Sequence, residues 1–276
     1  MANAADGTSS SAPAKADPSQ QNRTLQSHED LYLERLNEVH FGTQITLSAL
    51  KTVRDGVPKK TGSPFHHFEV PTGSGTFARI RRGAKGVERL LDRLMTEDEY
   101  GKSLLMMVSI TEDYVINMLR MILRAHPDRL TIGLGGGTSE KTVPIAFLLT
   151  KGWSVVLEEL IEERIYQSLH ASPAQYIKFL KRLLHVEVGD ALMASFAEVK
   201  ATRDVIVHAK GLANAVYVRK AGSRSRAPAG SRLPMDRNYF DGCTMTMKEL
   251  ISNIHRQIGV KYADDPDVQR EAGRLS

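Results

Sequence analysis

The sequence predicts an all-α helical bundle with long loops and room for a small β-hairpin insertion. Three observations carry that expectation. Apolar residues recur at three- and four-residue spacing over most of the chain, strands do not alternate with helices, and no internal repeat divides it. At 276 residues and 41% hydrophobic content the chain can bury a substantial core without covalent staples. One cysteine, Cys243, excludes an intramolecular disulfide framework and a cysteine-rich zinc site, and points to a reducing, cytoplasmic setting. The longest apolar runs span about seven residues, such as 143–149, against the roughly 20 that cross a bilayer. No membrane partner is expected.

Residues 1–28 begin with a stretch rich in Ala, Ser, Pro and Gly that lacks an apolar signal-type segment, and read as a disordered tail. Ser27-His28-Glu29-Asp30 has the look of a helix start, and apolar residues from Leu31 to Leu50 extend a first helix over 29–54. Residues 55–86 carry Gly, Pro and several β-formers, which suits a loop or hairpin insertion. The bundle proper is expected over 87–264. It has helices over 86–96 and 97–125, the second ended by Pro127. Trp153, Val156, Leu160, Ile161, Ile165 and Leu169 form an apolar stripe with Glu158, Glu159, Glu162 and Glu163 opposite. Ser172-Pro173-Ala174-Gln175 is a capping box opening the next helix, and another begins near Asp190. A basic Gly/Pro-rich loop over 219–242 leads to a final helix capped at Thr246-Met247-Lys248-Glu249, and 265–276 reads as a flexible tail.

The segment TRDVIVHAKG, residues 202–211, closes the helix that begins near Asp190. Stepping about 100° per residue puts Leu192, Phe196, Val199 and Ile206 on one stripe, with Arg203 in its middle. A buried, unpaired guanidinium costs several kcal/mol, on the order of the desolvation penalty for any ion, so Arg203 needs an interior carboxylate or a wet, shared cleft. Asp204 and His208 are four apart, so the carboxylate is positioned to hydrogen-bond and orient the imidazole. His208 itself lies about 140° round the helix from Arg203. An arginine followed five positions later by histidine also occurs at Arg23/His28 and Arg35/His40, so the spacing carries nothing and the context must.

That context is the string Glu198, Arg203, Asp204, Val205, Ile206, Val207, His208, Gly211, Asn214 and Tyr217 on a late helix of a bundle. It resembles the signature of the HEPN superfamily, with architecture over about 95–262 and Gly242 to Thr246 leading into a closing helix like that of many members. The resemblance implies a metal-independent endoribonuclease without cofactors, whose Arg203 and His208 meet across a homodimer cleft on the penultimate helix. RNA brings its own nucleophile, the 2′-hydroxyl, and the protein supplies a proton carrier and a cation for the phosphate. Asp204 falls on the family's polar position, and Lys210 stands where many members carry Asn. The role implied is a toxin or a stress or defence effector, held in check by an antitoxin or regulatory protein. The alternative is a non-catalytic RNA-binding or assembly module with Arg203 in a structural ion pair.

A net charge of +5 suits a polyanion such as RNA. Beyond Lys210, the cations Arg219, Lys220, Arg224 and Arg226 are positioned to follow a phosphate backbone, and a solvated loop is the plainer reading. GGGTSEKT at 135–142 resembles a phosphate-binding loop, but Glu140 occupies the place of a required glycine. A nucleotide-responsive regulator is therefore a weaker rival. His66 and His67 with Glu69 lack a third ligand, so no metal is expected.

Overall fold

A computed structural model describes residues 18–57, 65–134, 142–171 and 173–275. Helix α1 runs Pro18–Asp55. It begins well before the expected start at 29, so residues 18–28 belong to a helix and not to the tail. Tertiary burial explains the extension: Leu25, Tyr32 and Leu36 all sink into the core. Ser27-His28-Glu29-Asp30 is helix interior. The insertion is a two-stranded antiparallel hairpin, β1 His66–Pro71 and β2 Phe77–Arg82, in the register Phe68↔Ile80. Gly75, at φ 78°, makes the turn that an L side chain rarely adopts.

Helix α2, Ala84–Arg93, passes through a π-helical turn at Leu94–Asp98 into α3, Glu99–Ala125. The break expected near 96–97 is thus a wider, underwound turn in a continuous helix and not a loop. Helix α3 is buried nearly all round, with Leu104, Met107, Val108, Tyr114, Val115, Met118, Leu119 and Ile122 all inaccessible. A helix apolar on every side must be surrounded, and α3 is the axle of the bundle. A 3-10 turn, Pro127–Thr131, follows it, then α4 Ile145–Lys151, α5 Trp153–Leu169, α6 Pro173–Leu184 and α7 Asp190–Ala209. Residues 135–141, which hold most of the glycine-rich segment, and Ser172 of the capping box lie outside the described residues.

The end of the chain differs most from expectation. Part of the basic loop is helix α8, Ala215–Ala221, and α9 starts at Arg237 and runs to Lys261. Its cap is Asp236, whose side chain accepts from the Tyr239 backbone N–H, so Thr246 is a residue of the helix interior. Residues 266–272 form α10, Pro266–Ala272, capped by Asp265 and anchored by fully buried Val268. The expected flexible tail is therefore mostly a docked helix. Helix α3 packs against α1, α5, α6, α7, α9 and α10, and α7 also packs against α8 and α9. The motif helix α7 is consequently followed by three further helices and is not penultimate. Among the described residues, no helix is long and apolar enough to cross a membrane.

Candidate functional site

Helix α7 ends where Lys210 takes a left-handed conformation, φ 52°, and Gly211 follows at φ 78°. The amides of both return to the Val205 carbonyl, a closure of the kind that stops a helix sharply. The chain then runs beside its own later loop: the Ala213 amide donates to Ser231 and the Leu233 amide to Gly211. These bonds hold α8 and residues 225–235 beneath the end of α7.

Inside that corner sits a polar cluster. Glu198 is 5% exposed, and its carboxylate accepts from Thr202 Oγ1 at 2.8 Å, from the Tyr217 hydroxyl at 2.9 Å and from the Tyr239 hydroxyl at 2.9 Å. Its charge partner is Arg226, Nε to Oε1 3.0 Å, with the guanidinium stacked 3.3 Å from the centre of the Tyr239 ring. The arginine that pairs with a buried carboxylate in this corner is therefore Arg226, a residue expected on an RNA-facing loop. Its position does not present it to a phosphate backbone. Burial is the main influence raising the Tyr239 hydroxyl well above its usual range, and burial likewise lifts the Cys243 thiol to about 12.

Arg203 is not on the buried stripe. Its side chain is 41% exposed. The buried side chains of α7 are concentrated from Met193 to Val205, and the last two turns open to solvent on the side of Arg203, Asp204, Val207 and His208. Arg203 and His208 thus flank one open face about 140° wide, with Val207 and Asp204 between them. The expected Asp204–His208 hydrogen bond is not formed. Asp204 instead accepts from Lys220 Nζ at 2.8 Å and Arg203 Nη1 at 3.2 Å. Partial burial opposes ionisation of Asp204, but Lys220 and then Arg203 outweigh it and hold the carboxyl below its ordinary range. Among the described residues His208 has no side-chain hydrogen bond or ion pair, and its ring is exposed.

Arg203, Asp204 and Lys220 stand at the rim of a cavity of about 270 Å³. Its walls include Tyr176 of α6 and Phe196 of α7, and Glu112 of α3 and Lys200 of α7 meet there at 2.7 Å. The Lys200 ammonium also lies 4.3 Å from the Tyr176 ring centre. Sequence reasoning missed Glu112, Tyr176 and Lys200, because three helices bring them together. The one local signal was Lys200, a turn before Arg203 on the same face. Of the other basic residues, Lys210, Arg219 and Arg224 are exposed. Lys210 borders a different depression, with Arg93 and Arg232, and is not part of the Arg203 cavity.

Among the described residues, no three His, Cys, Asp or Glu side chains form a group that could hold a metal ion. His66 and His67 are neighbours in β1 and point to opposite faces of the hairpin. Compared with protein-family models, with curated proteins and with solved structures, the chain matches none.

Proposed function

We propose that the chain is a metal-independent endoribonuclease of HEPN type, acting on RNA as a homodimer whose cleft is formed by the open faces of two α7 helices. One observation carries this reading: Arg203 and His208, both accessible, flank the same uncovered face of α7. Around them Val207, Leu212 and Val216 are 47%, 46% and 45% exposed, apolar surface that burial against a second copy would remove from water. A two-fold axis there brings two arginines and two imidazoles to one groove.

In that groove one copy's His208 accepts the proton of the RNA 2′-hydroxyl, whose oxygen attacks the adjacent phosphorus. The other copy's His208 donates a proton to the departing 5′-oxygen. The products are a 2′,3′-cyclic phosphate and a 5′-hydroxyl, with one proton taken and one returned. Positioned proton transfer contributes about 10²- to 10⁴-fold. Arg203, permanently charged and forked, holds the non-bridging oxygens as negative charge gathers on them, for about a further 10²- to 10³-fold. The family resemblance adds the role of a toxin or defence effector restrained by a protein partner.

A second reading keeps the fold without the reaction, as an RNA-binding or assembly module. It is favoured by Asp204, which pairs with both Arg203 and Lys220 and so offsets the charge a phosphate would seek. Expression of the wild type beside Arg203→Ala and His208→Ala, with total RNA run on a gel, separates the two. Breakage by the wild type alone, with both variants folded and dimeric, supports the enzyme, whereas intact RNA in all three supports the module.

A further inference from the structure

The cavity beside Arg203 is shaped for something other than a phosphate. Its accessible side chains are exposed His170 together with Arg203, Asp204 and Lys220, 41%, 37% and 33% exposed, which marks the mouth. Its floor is apolar and closed, with Tyr176 at 3% and Phe196 at 1%. Between them sit Glu112 and Lys200, each about one-fifth exposed and paired at 2.7 Å. A rim of two cations and one carboxylate, a charged pair and an aromatic floor follow one another from solvent inward.

We infer that this cavity is a base pocket, seating the nucleobase of the nucleotide whose phosphate Arg203 holds, and that guanine is the base it fits best. The inference rests on the reading of the chain as RNA-binding at Arg203. Volume is the first argument. About 270 Å³ lies just below the roughly 300 Å³ at which sites for whole drug-sized ligands begin, which suits a flat ring system with part of its sugar. Second, the buried rings of Tyr176 and Phe196 wall the closed end, an apolar end that suits a flat ring system better than a sugar or a phosphate. The third argument is polarity. A carboxylate beside an ammonium complements an edge that places donors next to an acceptor. Guanine presents two adjacent N–H donors, at N1 and N2, beside the O6 acceptor. A carboxylate has about four acceptor positions, so the contact with Lys200 does not saturate Glu112. Adenine offers that edge a single donor group beside an acceptor, and uracil one N–H between two acceptors. The Glu112–Lys200 pair therefore distinguishes guanine by chemistry and not by size.

The test uses the full chain and needs no cleavage. Guanosine, adenosine, cytidine and uridine 3′-monophosphates, with ribose 5-phosphate as control, are titrated into the protein by calorimetry. Guanosine 3′-monophosphate is expected to bind about tenfold more tightly than the other three nucleotides, the discrimination typical of a paired hydrogen-bond contact to a base edge. Glu112→Gln is expected to bring the four nucleotides within about twofold of one another. Ala171→Leu, at a cavity-lining position outside the helices, is expected to weaken all four about equally while leaving ribose 5-phosphate unchanged. Both variants are checked for a wild-type melting temperature, and if Glu112→Gln fails to fold, Ala171→Leu decides alone. Four nucleotides that bind no better than ribose 5-phosphate overturn the pocket, as does a guanine preference that survives both substitutions. A guanine preference without RNA cleavage keeps the pocket and removes the nuclease. Cleavage by a protein that binds all four nucleotides alike does the reverse.

Discussion

Arg226 Nε lies 3.0 Å from Glu198 Oε1 inside the corner formed by α7, α8 and α9. The arginine is 19% exposed and the glutamate 6%, so each is the main compensation for the other's loss of water. Removing one partner strands a charge. Arg226→Ala is accordingly expected to cost about 3–5 kcal/mol, and Arg203→Ala, whose side chain is half open to solvent, no more than about 1 kcal/mol. Urea unfolding of the two variants measures the difference. Equal losses, or a larger loss at Arg203, would reverse the assignment of which arginine is structural.

Asp204 restrains the cations that the proposed cleft uses. Neutralising it in Asp204→Asn leaves Arg203 and Lys220 without a carboxylate partner, and binding of a short single-stranded RNA should tighten by roughly threefold to tenfold at low salt. The gain should narrow as salt rises and screens the cations. Fluorescence anisotropy at two salt concentrations checks it, and weaker binding by the variant would show that Asp204 assists the ligand.

The same carboxylate sets a pH dependence. Its folded-state value lies below the usual 3.8, so its pairing stabilises the fold at all pH values above 3.8 and is lost as the pH falls through the lower folded value. For a pair this exposed the contribution is about 0.5–1 kcal/mol. Thermal melts from pH 7 down to pH 3 should show the wild type losing that margin over Asp204→Asn and converging with it in acid. A constant gap across the range would contradict the coupling.

Cys243 is 2% exposed, and burial raises its thiol to about 12 from the ordinary 9.0. Since the thiolate is the reactive form, labelling at pH 8 by an aromatic disulfide reagent should be slowed by at least about a thousandfold in the folded protein. Full reactivity should return in denaturant. Prompt labelling of the native chain would mean that α9 opens more readily than its packing implies.

The helical class and the insertion were readable because period-3.6 patterning and turn residues act locally. Helix α5 follows from the stripe Val156, Ile161, Ile165 against its glutamates, and α6 opens at Pro173 as the capping pattern requires. What escaped was decided at a distance. The first turns of α1 carry the polar composition of a linker, and packing around Leu25 holds that part of the helix in place. Asp236 and Asp265 cap α9 and α10 with single carboxylates that resemble any other loop aspartate. Periodicity put Arg203 on a buried stripe because it assumes one face for a whole helix. Helix α7 is covered along most of its length, and in its last two turns the side carrying Arg203, Asp204, Val207 and His208 is open. Nothing local separates Arg226 from Arg224, two residues away and exposed, and the difference arises only when Glu198 is brought up beneath the loop. The candidate site was half legible: Arg203, Asp204 and His208 from one helix, but not the cavity that α3, α6 and α7 build beside them.

The most direct measurement is the product chemistry on a defined RNA. A labelled single-stranded oligonucleotide, incubated with purified protein in excess chelator, should yield fragments ending in a 2′,3′-cyclic phosphate and beginning with a 5′-hydroxyl. A single 2′-deoxy substitution should block cutting at that position. Mixing Arg203→Ala with His208→Ala should restore part of the activity that each lacks alone, because heterodimers regain one intact residue of each kind. Fragments bearing 3′-hydroxyls, cutting that tolerates the 2′-deoxy sugar, or an oligonucleotide left whole by the dimeric wild type would contradict a nuclease built from two α7 faces.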